Sequence, residues 1–107
     1  MPPQGVETLG REPGIVPAVP TISFTKNLRR HVECPPEDVA GTTVAECLAA
    51  YFALHPPVRT YVLDDQASIR RHVVVFVGSD QLRDPKRQTD AVGPTTEITV
   101  MQALSGG

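Results

Sequence analysis

Positions 43 to 57 constrain this chain most, because they allow one long helix and no other stretch does. Thr43, with Glu46 three positions later, has the form of a capping box, in which two side chains satisfy backbone donors left orphan at a helix start. Val44, Cys47, Leu48, Tyr51, Phe52 and His55 follow at i, i+3, i+4, i+7, i+8 and i+11, a single apolar stripe. Pro56-Pro57 closes it, since the residue before a proline is pushed out of helical backbone. A lone amphipathic helix must bury its stripe against a different kind of element. That element is a sheet.

The strands around it can be read in turn. Thr21-Ile22-Ser23-Phe24-Thr25 alternates apolar with hydroxyl residues, as a half-buried strand does. Lys26 to Ala40 reads as a long irregular return, because Pro35-Pro36 removes two backbone donors, and it ends in a short edge strand near Glu37 to Ala40. Val58 to Val62 fits a short helical turn or a strand, and Leu63-Asp64-Asp65-Gln66 a turn. Ile69 to Val77 is the strongest strand, rich in β-branched residues and closed by Gly78-Ser79-Asp80. After a polar stretch with Pro85, Gly93 and Pro94, Glu97-Ile98-Thr99-Val100-Met101 alternates again. The order β-β-α-β-(β)-β predicts an α+β fold: a mixed sheet of four to five strands with one main helix packed on one face. The first and last strands are expected to lie parallel and adjacent.

The chain's 107 residues suit one domain. Pro2, Pro3, Pro13, Pro17 and Pro20 crowd its first twenty positions, where no apolar period is visible. Residues 1–19 are therefore expected to form a flexible Pro/Gly-rich leader, and residues 20–107 the folded domain with a flexible Gly-Gly tail. A net charge of −2 and the absence of tryptophan argue against a nucleic-acid coat. No apolar run is long enough to span a membrane. Cys34 and Cys47 read as reduced thiols, and with no export signal the expectation is a cytoplasmic protein, a monomer when free.

Side-chain chemistry is sparse. His31, His55, His72, Cys34 and Cys47 show no ligand-pair spacing on one element, so no metal site is predicted. No Ser, Cys and His form a nucleophile arrangement, and Asp64-Asp65 reads as a solvated turn. One local pattern repeats: Leu28-Arg29-Arg30-His31-Val32 and Ile69-Arg70-Arg71-His72-Val73. These two segments hold four of the ten Lys and Arg residues, and could form two basic rims. The negative overall charge weighs against nucleic acid as their partner.

Ser105-Gly106-Gly107 follows the last apolar strand directly. Four or five residues beyond a sheet reach on the order of 13–16 Å when extended. Two glycines can thread a narrow channel and present an α-carboxylate to another protein's active site. A carboxylate is a poor electrophile, so acyl chemistry there first requires ATP-dependent adenylation.

From about Ile22 to Gly107 the chain resembles the MoaD/ThiS sulfur carriers, small relatives of ubiquitin. The resemblance rests on Ile22-Ser23-Phe24, Thr43-Val44-Ala45-Glu46-Cys47-Leu48, His72-Val73-Val74-Val75-Phe76-Val77-Gly78, and Glu97-Ile98-Thr99-Val100 leading to Gly106-Gly107. It implies the ubiquitin-like β-grasp fold and a carrier rather than an enzyme. By resemblance, a ubiquitin-activating-type adenylyltransferase adenylates Gly107 using ATP and magnesium, while the carrier binds no cofactor itself. A persulfide donor or sulfurtransferase then converts the acyl-adenylate to a thiocarboxylate, which supplies a sulfur-accepting synthase; Gly106 gives access. Val100-Met101-Gln102-Ala103-Leu104 stands where molybdopterin-synthase small subunits commonly carry an aromatic and two prolines. The tail looks more like carriers serving cysteine, thioamide or other specialised sulfur pathways. The alternatives are a ubiquitin-like modifier joined to target lysines through Gly107, or a plain interaction module.

If Val73, Val75 and Val77 face the helix, His72, Val74 and Phe76 face outward, and with Leu104 they make a candidate partner-binding face. The opposite register is the alternative.

Overall fold

The computed structural model describes residues 19–102. Its elements are β1 (Thr21–Phe24), α1 (Lys26–Arg29), β2 (Glu37–Asp38), α2 (Val44–Leu54), a 3-10 turn (Pro56–Val58), α3 (Arg59–Val62), β3 (Val73–Val77), β4 (Asp80–Gln81) and β5 (Glu97–Gln102). The strands form one five-stranded sheet in the order β2-β1-β5-β3-β4. β1 and β5 pair in parallel, from Thr21↔Glu97 to Phe24↔Val100, and the other pairs are antiparallel. This is the mixed sheet with one main helix that the element order predicts. Residues 1–18 of the expected leader lie outside the described residues.

The helix stripe is buried as its spacing requires. Val44, Cys47, Leu48, Tyr51 and Phe52 join Ile22, Phe24, Val73, Val75, Ile98 and Val100 in one core cluster. Each such side chain contributes roughly 1.5–3 kcal/mol when fully buried. Thr43 Oγ1 accepts the Glu46 N–H at 3.2 Å, as a capping box demands. The reciprocal half differs from expectation. Glu46 Oε1 accepts the N–H of Thr42 at 2.7 Å and the Thr42 hydroxyl at 2.9 Å, one residue before the N-cap. An isolated bridge between Thr43 and Ala91 holds this entry extended, and Thr42 there offers two donors instead of one. Just upstream, a Cβ on Gly41 would fall 2.9 Å from both the Cys47 nitrogen and its Sγ, so only glycine lets the incoming chain lie against the first turn.

Tyr51 ties α2 to the return segment. Its ring is fully buried, with centroids 4.9 Å from Phe24 and 4.9 Å from His55. Its hydroxyl donates to the Pro35 carbonyl at 2.7 Å. The two prolines that bar this segment from a ladder thus leave a carbonyl free for the helix to hold. Burial pushes the phenol's ionisation well above its ordinary value, so it stays a donor at any physiological pH. At the helix end, His55 Nε2 lies 2.7 Å from Glu37 Oε2, fixing β2 beside the C-cap.

Two boundaries differ from the sequence expectation, and one open alternative is decided. Lys26–Arg29 is a helical turn rather than irregular chain, anchored by buried Leu28; one apolar residue in a single turn shows no period. Val58 to Val62 takes the helical alternative, with Pro56-Pro57 opening a 3-10 turn in which the missing N–H groups cost nothing. The strongest strand begins at Val73, four residues later than Ile69. Ile69 instead bridges Leu63, while Arg70 N–H donates to Val62 O at 2.9 Å and Ile69 N–H to Pro85 O at 2.8 Å, so the chain turns through Arg71-His72. At its other end Gly78, with φ +63°, makes the tight turn into β4. The edge strands β2 and β4 are two residues each and carry Glu37, Asp38 and Asp80, which discourages further strand addition.

Tyr51→Phe leaves the half-buried Pro35 carbonyl without its donor and is expected to cost about 1 kcal/mol, read as a lower urea midpoint with an unchanged slope. Glu46 has its carboxyl held below the ordinary glutamate range, first by the Thr42 N–H and then by the Thr42 hydroxyl. A lowered folded value adds stability that is full above the unfolded value, near about 4.3, and is lost as pH falls through the folded one. The urea midpoint of the wild type should therefore drop more on acidification through that window than the midpoint of Glu46→Gln.

Candidate functional site

The pleat assigns each sheet residue to a face, and β-pairing aligns the rows. Val73 and Val75 pair with Gln102 and Val100 and point to α2, with Val73 and Val75 buried. The opposite face therefore carries Val74 beside Met101, and Phe76 beside Thr99. Across β5, Thr99 pairs with Ser23, and Phe76 pairs with Gln81 of β4. Val74, Phe76, Thr99, Met101 and Ser23 are all half-buried. The result is a small apolar patch of Val74, Phe76 and Met101 with a hydroxyl margin, on the sheet surface away from the core.

Of the two registers open in the sequence, the structure takes the one with Val74 and Phe76 outward. His72 is not in that row, since it lies in the exposed turn before β3 and not on the strand. Leu104, Gly106 and Gly107 lie outside the described residues. Thr99 and Met101 are additions to the face. The alternation of Glu97 to Met101 contained them, because burying Ile98 and Val100 turns Thr99 and Met101 the other way.

β5 sets the direction in which the chain leaves the sheet. It is bonded on both sides, to β1 and to β3, and its last described residue, Gln102, pairs with Val73 at the start of β3. α1 packs against the same strand. The five residues Ala103 to Gly107 follow from that point.

Elsewhere the reactive side chains are engaged in structure. Cys34 and Cys47 are buried, and desolvation raises both thiols above their ordinary range, so neither is a ready nucleophile near neutral pH. Among the described residues no group of three or more His, Cys, Asp and Glu could hold a metal ion. Asp64 accepts the N–H groups of Gln66 at 2.8 Å and Ser68 at 3.0 Å, which lowers its carboxyl and makes it a turn-former. Asp90 accepts from the N–H groups of Arg83 and Asp84, and Asp84 from the Thr89 hydroxyl at 2.6 Å, so this carboxylate pair pins the loop before β5. Buried Gln88 donates to Pro85 O at 2.7 Å in the same loop. No described helix is long and apolar enough to cross a membrane.

No protein-family model matches the chain, and no curated protein sequence matches it significantly. Solved structures do. A chain of the Amycolatopsis orientalis BexX/CysO complex aligns at 21% identity over 83% of this chain and 100% of its own, with a TM-score of 0.70. SAMP1, the small archaeal modifier protein 1 of Haloferax volcanii, aligns at 22% identity over 82% and 98%, with a TM-score of 0.67. CysO of Mycobacterium tuberculosis, described as an antigen, aligns at 18% identity over 79% and 99%, with a TM-score of 0.67. The sheet order, the single roofing helix and these alignments together give the chain the ubiquitin-like β-grasp fold, the one implied by its resemblance to the MoaD/ThiS sulfur carriers.

Proposed function

We propose that the chain is a sulfur carrier whose reactive group is the carboxylate of Gly107. The observation that carries this reading is the position of β5: the central strand of a β-grasp sheet ends at Gln102, and in sequence Ala103-Leu104-Ser105-Gly106-Gly107 follows it. The likeness to CysO supports it, as does the scarcity of reactive side chains among the described residues.

The chemistry then belongs to partners. A ubiquitin-activating-type adenylyltransferase, using ATP and magnesium, joins the Gly107 carboxylate oxygen to the α-phosphorus, and pyrophosphate leaves. A persulfide sulfur from the donor bonds to the acyl carbon as AMP departs. A thiol reductant cleaves the remaining S–S bond, leaving a thiocarboxylate for a sulfur-accepting synthase. Gly106, lacking a side chain, allows the tail into a narrow channel. The Val74, Phe76 and Met101 patch is the face on which the adenylyltransferase rests, as partly exposed apolar groups with a polar margin suit a partner surface.

Intact-mass analysis after incubation with ATP, magnesium, the adenylyltransferase and a persulfide donor should show a gain of about 16 Da, sulfur for oxygen. Deleting Gly106 and Gly107 should abolish the gain and leave the circular dichroism unchanged. Higher-mass conjugates in native extract, with no such gain, would instead favour a protein modifier, as the name of SAMP1, small archaeal modifier protein 1, has it. Phe76→Asp should keep the fold and weaken the complex with the adenylyltransferase at least about tenfold, as truncating a central apolar anchor does. Unchanged affinity by titration calorimetry would remove this face.

A further inference from the structure

The repeated Arg-Arg-His pattern is scattered in sequence and convergent in space. Arg29, Arg30 and His31 close α1, which begins two residues after β1 ends. Arg70, Arg71 and His72 form the turn that enters β3. β1 runs parallel to β5 and β3 runs antiparallel, so the end of β1, the end of β5 and the start of β3 share one edge of the sheet. The two segments therefore flank the exit of β5 from opposite sides. With strands about 4.8 Å apart, they stand on the order of 10 Å from one another across it.

We infer that these two Arg-Arg-His segments form a cationic clamp around the exit of β5, which docks on a carboxylate-lined rim of the protein that receives residues 103–107. This rests on the sulfur-carrier reading and adds the chemistry of the partner's contact. Arg29, Arg30, His31, Arg71 and His72 are exposed, and among the described residues none has a carboxylate within ion-pair distance. Arg70 is half-buried, with its Nε donating to Thr60 O at 2.7 Å and its charge near Asp64. Asp64 in turn is taken up by the Gln66 and Ser68 N–H groups.

Charge on the sheet is polarised along the strand axis. The far edge, where β1 and β5 begin and β3 ends, carries Asp38, Asp80 and Glu97. An acidic rim is drawn to the exit end and repelled by the other, so the field orients the carrier with its tail leading. Phosphate would also be attracted to the guanidinium groups. A nucleic acid laid there would cross the exit and cover it, and the net charge of −2 and the acidic far edge oppose a polyanion.

The test is ATP–pyrophosphate exchange by the adenylyltransferase of the native host, with the full chain as wild type, Arg30→Glu, Arg71→Glu and the double variant. All four should have the same circular dichroism, because both side chains are exposed. Each single variant should raise KM about tenfold with kcat within about twofold, and the double variant should lose most of the salt dependence of KM. Arg71→Lys should restore KM to within about threefold, because the charge is kept. Unchanged KM in the double variant, with exchange intact in the wild type, would overturn the clamp and leave the carrier function standing. No exchange in the wild type would overturn both. A gel shift of single-stranded RNA at physiological salt, abolished in the double variant, would overturn it in favour of nucleic acid.

Discussion

Parallel pairing of β1 with β5 organises everything else in this protein. It joins strands that are far apart in sequence, so the whole intervening chain has to cross over the sheet and return. α2 makes that crossing, and its stripe covers Ile22, Phe24, Ile98 and Val100, the inward residues of the paired strands. Because β5 is also bonded to β3, neither its register nor its direction is free. The place where the chain departs from the sheet is thus set by hydrogen bonds on both flanks.

Much of this is legible in the sequence. The stripe from Val44 to Phe52 is buried residue for residue, the alternation in Thr21 to Phe24 and Glu97 to Met101 marks two strands, and the element order predicts their parallel pairing. What escaped was decided by neighbours distant in sequence. Ile69 has the composition of a strand residue, but the Leu63 bridge and the Pro85 carbonyl capture it, and β3 starts only after the turn. The Lys26–Arg29 turn depends on one buried leucine, a signal too small for a period to reveal. Glu46 reached past its expected partner because the Thr43–Ala91 bridge fixed how the chain enters the helix. For the open face, the pleat groups Val74 with Phe76 but leaves two registers, which the burial of Val73 and Val75 decides, and Met101 joins them only because it stands beside Val74 on the neighbouring strand.

Among the described residues, the potentially reactive side chains are taken up by structure. The thiols are buried, Asp64, Asp84 and Asp90 hold turns, and the 2.7 Å contact between His55 and Glu37 fastens β2 to the helix end. Surface character is instead divided by region, with an apolar patch on the sheet face, guanidinium groups at one edge and carboxylates at the other. Such a partition gives a partner an orientation as well as a place to bind.

The strand arrangement also has a mechanical meaning. In a parallel pair, tension applied at the start of β1 and the end of β5 acts lengthwise in opposite directions along the two strands. The ladder between them is then loaded sideways, and its hydrogen bonds share the force instead of yielding one after another as in a peeled hairpin. A machine hauling on the end of β5 would therefore meet a domain that resists being unravelled, and would move the whole body before it pulled the strand free.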